Sequence, residues 1–238
     1  MAPVFKQSGD STLTVYFENK IDPSVNRQVC ALSDSIKKNP IRGVTELLPT
    51  FNALTVFYDP FKISSSSLER KIRKRLGNSV GDSNGKKRIF VIPVCYDDEF
   101  ALDINNVCEH NSLTRDEVVK IHSSSDYLIY MLGFLPGFAY LGGLDKRLHT
   151  PRLKSPRTEI PAGSVGIGGN QTGMYPLASP GGWQIIGKTP LHLFDAEREN
   201  PIFYSAGDYI RFKPIDKEEF DRIYGDRNTV PEILEERL

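Results

Sequence analysis

Between Gly133 and Gly187 the chain places 12 of its 19 glycines and six of its 16 prolines within 55 residues. Proline freezes φ and removes an amide donor, while glycine admits left-handed backbone and lets neighbouring atoms approach closely. No long helix fits such a stretch. The alternation gives short strands joined by stiff, defined loops, with Val165 and Ile167, and Ile185 and Ile186, as apolar points that keep it folded. Many short strands with Gly and Pro turns argue for a small barrel or sandwich.

The flanking sequence has other periods. Thr12 to Phe17 is β-branched and aromatic, hence a strand, and Asp22 to Lys38 opens on Asp-Pro and sets Val25, Val29, Leu32 and Ile36 on one helical stripe that ends before Pro40. Val44 to Leu48 and Ala53 to Tyr58 suit a hairpin, and Ser64 to Leu76 repeats Leu68, Ile72 and Leu76 at four-residue steps. The order is βαββα over residues 1–80. The basic run Arg70 to Arg75 reads as the solvated face of that second helix, since no aromatic residue is interleaved with it. Gly77 to Lys87 is polar and turn-rich and is expected to join this domain to a second one over 88–238.

In the second part Arg88 to Cys95 is a strand run that Pro93 places at an edge or bend. Asp103 to Ser123 forms two short helices, the second opened by a capping box of Thr114 and Glu117. Asp126 to Leu132 is a buried strand, Tyr209 to Lys213 is a closing strand, and the chain from Asp216 onward is expected to be a charged helical tail. The fold class is therefore α+β in two domains.

Thirty basic and thirty acidic side chains cancel, which removes the electrostatic footprint of a duplex nucleic-acid binder. Cys30, Cys95 and Cys108 are too few and too scattered for a disulfide framework, and the four histidines show no metal-ligand spacing. No metal is expected. No apolar run approaches the ~18 residues of a membrane span, and MAPVFKQSGD lacks the pattern of a secretory signal, so a cytoplasmic chain is expected.

Two nucleotide-like motifs fail on chemistry. Gly182 to Thr189 (GWQIIGKT) has P-loop letters, but its interior of Trp, Gln, Ile and Ile prefers a strand and Pro190 offers no helix to face a phosphate. Gly166 to Gln171 starts like a dinucleotide fingerprint but has Gln171 where the third glycine belongs. What remains is a set of polar and aromatic tips on the stiff segment. Pro151 and Pro156 stand immediately before Arg152 and Arg157 and fix where two guanidinium forks start, a geometry suited to a carboxylate or phosphate. Tying loops together is the other reading of both arginines. Trp183, the only tryptophan, either walls a pocket or fills the core.

The blocks GFLPGFAYLGGLD (133–145), PRLKSPRTEIPAGSVGIGGNQTGMYP (151–176) and SPGGWQIIGKTP (179–190) resemble, in order, those of the KipI and allophanate hydrolase subunit 1 family, whose bacterial members include 5-oxoprolinase subunits. The segment from His110 to His122 and Tyr127 resembles it too. Two departures stand out: Phe100-Ala-Leu-Asp103-Ile where many relatives read Phe-Gly-Pro-Asp-Leu, and Lys188 where Arg is common. The resemblance implies a cyclophilin-like β-barrel after the amino-terminal domain. It also implies a partner of the allophanate hydrolase subunit 2 type, which is the C component of 5-oxoprolinase, together with the A component of the same enzyme. It implies ATP-dependent opening of 5-oxo-L-proline to L-glutamate, with ATP bound somewhere in the complex and the isolated chain inactive. On that reading Arg152 and Arg157 are catalytic, Tyr140, Gln171, Tyr175 and Trp183 bind the substrate, and the ATP-binding residues are unassigned. Kinase inhibition of the KipI kind and a role in urea or allophanate metabolism are the alternative activities the same family implies.

Overall fold

The computed structural model describes residues 2–20, 22–78 and 86–237. It divides into two compact units, up to residue 86 and from residue 87 onward. Of the expected joining segment, residues 79–85 lie outside the described residues.

The first unit runs β1 (Val4–Gln7), β2 (Thr12–Tyr16), α1 (Pro23–Lys38), β3 (Val44–Pro49), β4 (Ala53–Tyr58) and α2 (Ser65–Asn78). Its antiparallel sheet has the order β1-β2-β4-β3. Asp22 caps α1 by accepting from the Ser24 amide, Pro23 takes the first helical position, and the expected stripe Val25, Val29, Leu32 and Ile36 is buried. Val29, Leu32 and Ile36 join Leu13, Val15, Leu54, Val56, Leu68 and Ile72 in one core. Strand β1 adds to the βαββα order read from sequence. Its four residues lie at the sheet edge, mostly exposed, with only Phe5 packed against the core, so they carry too little alternation to announce a strand.

The second unit contains β5 (Lys86–Cys95), α3 (Ile104–Asn111), α4 (Arg115–Ser123), β6 (Asp126–Leu132), β7 (Ala139–Gly142), β8 (Arg157–Ile160) and β9 (Ser164–Gly168). There follow β10 (Gln171–Met174), β11 (Ser179–Gly181), β12 (Gln184–Lys188), β13 (Tyr209–Ile215), α5 (Lys217–Tyr224) and β14 (Glu232–Arg237). Strands β12-β9-β10-β7-β6-β13-β5 form a ring that closes where Lys188 of β12 pairs with Cys95 of β5. Strands β5 and β13 run parallel; the other pairs in the ring are antiparallel. Closure leaves a seven-stranded barrel, one of the two outcomes, barrel or sandwich, that the glycine and proline spacing left open and the one that the family resemblance implied.

Two expectations need correction. The tail from Asp216 is helical only through α5; Pro231 then opens β14, which lies beside β5 outside the ring. Glu-Ile-Leu-Glu-Glu-Arg has helical propensity, and the pairing offered by a neighbouring strand overrides it. Of the edge or bend that Pro93 allowed, the edge does not hold for β5 as a strand, which lies between β13 and β14 in the sheet order and pairs with β13 from Ile89 through Cys95.

Phe90, Ile92, Tyr127, Ile129, Leu141, Val165, Ile167, Met174, Ile186, Ile210 and Phe212 are among the side chains that fill the barrel core. His122, from α4, is fully buried and stacks on Phe212 with ring centroids 4.5 Å apart. The hydrogen bonds around it fix its tautomer. The Thr172 hydroxyl donates to the Gly166 carbonyl (3.0 Å), so at 2.8 Å it accepts from Nε2, leaving Nδ1 to accept from the Tyr96 hydroxyl, also at 2.8 Å. Burial pushes the imidazole from its ordinary 6.5 down to about 3. The unfolded chain therefore takes up a proton near pH 6.5 that the folded chain refuses until about pH 3, and stability declines as pH falls through that window. His122→Gln, which does not titrate, is expected to flatten the pH dependence of urea stability between about pH 6.5 and 4 by up to about 1.4 kcal/mol per pH unit relative to wild type.

Candidate functional site

Ile167, Val165 and Met174 point into the barrel, so their strand neighbours Gly166, Gly168 and Gly173 face outward. The Trp183 indole lies on that outer face. A Cβ at Gly168 would stand 2.4–2.6 Å from Nε1, Cε2 and Cδ1 of the indole, and one at Gly173 would stand 3.1 Å from Cζ3. The letters that suggested a dinucleotide turn are thus the seat of a tryptophan. The P-loop letters likewise fall on β12, which enters the barrel ladder and is followed by no helix.

Phe138 meets Trp183 edge-on at 5.7 Å and Tyr175 edge-on at 5.4 Å, while Tyr140 lies 5.0 Å from Phe138. With Ile160 and Ile185 these rings form a separate apolar cluster on the barrel wall. Trp183 is 4% exposed and Tyr175 2%, so they make its floor, while Tyr140 is half-buried at its margin. A Cβ at Gly181 would lie 2.6 Å from the Tyr175 hydroxyl, which explains the glycine there. Burial raises the Tyr175 phenol above its ordinary value, and the nearby Arg152 charge pulls it the other way.

The two arginines are placed differently. Arg152 is exposed, with its guanidinium 5.8 Å from the Trp183 ring centroid, and no carboxylate pairs with it among the described residues. The Leu153 amide donates to the Gly182 carbonyl at 2.7 Å and so holds the backbone beside it. Arg157 instead gives both terminal nitrogens to Asp103, at 2.7 and 2.8 Å. That carboxylate, 4% exposed, also accepts the Ile185 amide at 2.7 Å. Gln171 stands opposite Gly168 across the β9–β10 pair, half-buried, and cross-strand partners share a face, so its side chain leaves the wall on the Trp183 side.

The structure thus brings Arg152, Tyr140, Tyr175 and Trp183 together, with Gln171 on the same face and Arg157 held in an ion pair. Asp103 was missed as a site residue. At the start of a helix an aspartate reads as a cap, yet its side chain makes no cap bond and turns to Arg157. Among the described residues no three His, Cys, Asp or Glu side chains converge as a metal site would require.

A closed barrel carrying an aromatic cluster and a loop-borne arginine on its outer wall, preceded by a four-stranded α+β unit, defines the class. Residues 3–204 match the family described as carboxyltransferase domain, subdomain C and D, and the chain belongs to that family. It is 44% identical over 225 residues to the 5-oxoprolinase B subunit of Bacillus subtilis (strain 168), covering 90% of this chain and 94% of that protein. The urea amidolyase of Lachancea kluyveri is 27% identical and shares 93% of this chain but only 14% of its own length. The crystal structure of TTHA0988 superposes with a TM-score of 0.78 at 31% identity, over 86% of this chain and 40% of that one. The chain therefore spans about two fifths of that solved protein and nearly all of the B. subtilis one.

Two substitutions test the construction of the site. Arg157→Ala strands a buried carboxylate and is expected to cost about 3–5 kcal/mol in urea unfolding. Gly168→Ala drives a methyl into the indole and is expected to cost about 1–3 kcal/mol, with a shift in Trp183 emission.

Proposed function

We propose that this chain is the B subunit of a 5-oxoprolinase, and that it contributes the Arg152 loop and the Trp183 cluster to an active site completed by other subunits. The near end-to-end match to the B. subtilis 5-oxoprolinase protein supports this over the urea-metabolism alternative, whose relative shares only a small part of its own length. The observation that carries the site is Arg152: a guanidinium exposed, without a carboxylate partner among the described residues, and set above an aromatic floor.

The substrate, 5-oxo-L-proline, is a flat five-membered lactam bearing one carboxylate. Arg152 presents a planar fork that takes such a carboxylate through two parallel hydrogen bonds. The Tyr140 hydroxyl and the Gln171 amide, on the same side of the wall, hold the ring amide, and the buried Trp183 and Tyr175 keep water from beneath it. Arg157, locked to Asp103, stiffens the β8 side of the site.

A lactam is a poor electrophile, and coupling its opening to ATP makes attack by water at the ring carbonyl feasible, with L-glutamate as product. The residues that spell a P-loop here form a strand and supply no phosphate cradle. ATP is therefore assigned to the complex as a whole, with the A and C components of 5-oxoprolinase as the partners, and the chain alone is inactive.

Following 5-oxoproline loss and glutamate release from the reconstituted complex, with and without ATP, tests this reading. Turnover is expected only with all components and ATP. Arg152→Ala is expected to lower kcat/KM about 10- to 100-fold, the worth of a charge-assisted pair. Unchanged activity would remove Arg152 from the site, and no turnover by the wild-type complex would remove the oxoprolinase assignment.

A further inference from the structure

The loop that carries Arg152 is anchored by side-chain amides far away in sequence. The Gln184 side chain, buried on β12, donates from Nε2 to the Pro151 carbonyl at 2.9 Å. Its Oε1 accepts from Asn106 Nδ2 of α3 at 3.2 Å. One residue before Pro151, the Thr150 hydroxyl accepts from Asn111 Nδ2, at the end of the same helix, at 3.0 Å. The polarity of this network is fixed. A carbonyl only accepts, so Gln184 must turn its NH2 to Pro151 and its oxygen to Asn106. A buried amide satisfied at both ends holds one rotamer, and leaving the Pro151 carbonyl without its donor would cost the loop that constraint. Arg152 is the next residue. On its other side the Leu153 amide is held by Gly182, so the Arg152 backbone is held by a bond on either side of it, and this sets where its side chain starts.

We propose that Gln184, oriented by Asn106, is a positioning residue that sets Arg152 over Trp183 and thereby fixes where the substrate carboxylate is held. The kinetic part of this inference rests on the 5-oxoprolinase reading; the structural part does not. Arg152 grips a group remote from the reacting amide, so misplacing it weakens substrate and transition state alike. The signature is a raised KM with little change in kcat.

Trp183 is the only tryptophan in the chain, so its emission and its quenching by acrylamide report directly on whether Arg152 covers it. Gln184→Met, which keeps the side-chain length and removes the amide, is measured beside Arg152→Ala, the double variant, and Asn106→Ala, a substitution at an exposed position that spares the fold. In the purified chain Gln184→Met is expected to move emission and quenching toward the Arg152→Ala values, Asn106→Ala to move them partway, and the double variant to match Arg152→Ala alone. In the reconstituted complex Gln184→Met is expected to raise the KM for 5-oxoproline about tenfold with kcat within about twofold.

Emission and quenching unchanged from wild type in both Gln184→Met and Asn106→Ala would overturn the proposal. So would a Gln184→Met change that persists in full without Arg152, since Gln184 would then act on its neighbour Trp183 directly. Should Gln184→Met not fold, the Asn106→Ala arm decides the matter by the same criteria. A wild-type complex that turns over no 5-oxoproline sinks the functional reading and leaves the fluorescence test of positioning standing.

Discussion

Trp183 rests on the barrel wall because the positions beneath it have no side chains. Two strands paired in antiparallel register normally cover their outer face with a row of Cβ atoms, but here Gly166 pairs with Gly173, and Gly168 with Gln171, leaving a bare patch the width of an indole. The same strands turn Val165, Ile167 and Met174 inward, so one short hairpin serves both the barrel core and the seat of the aromatic cluster. Once the indole is down, the rest of the cluster follows. Phe138 and Tyr175 pack against it edge-on, the arrangement that aromatic quadrupoles favour, and Arg152 finds an electron-rich face.

That logic explains what could be read from sequence. Glycine and proline density pointed to short strands and stiff turns, and the helix starts at Asp22 and Thr114 were legible because a cap is a local contact completed within a few residues. The two unanticipated strands, β1 and β14, lie at the ends of their sheets. Edge strands bury little and so carry little alternation, and it is the partner strand, distant in the chain, that makes them strands at all.

The site divides along the same line. Arg152, Tyr140, Tyr175 and Trp183 lie within one run of sequence whose stiffness was visible, and they do converge. Their supports were not visible. Asp103 is 54 residues from Arg157, and Asn106 is 78 from Gln184. A buried polar residue is chosen for the partner it meets in space, and sequence spacing holds no record of a partner that arrives from another element. Asp103 was the more deceptive because its position at the start of α3 supplied a plausible local role that its carboxylate does not perform.

The unequal treatment of the two arginines bears on what the site selects. Asp103 neutralises Arg157 inside the wall, where an unpaired carboxylate or guanidinium would be costly. Arg152, in contrast, keeps its charge at the surface with no acid paired to it among the described residues. The cluster therefore offers a cation above a flat apolar floor, a combination matched by a small planar molecule with a single negative charge. A polyphosphate asks for several donors converging on each group, typically backbone amides at a helix start, and the strand β12 that bears the P-loop letters is paired into the barrel ladder, with its Ile185 amide committed to Asp103. In the proposed complex this division assigns recognition of the substrate carboxylate to this chain and leaves the handling of phosphate charge to its partners.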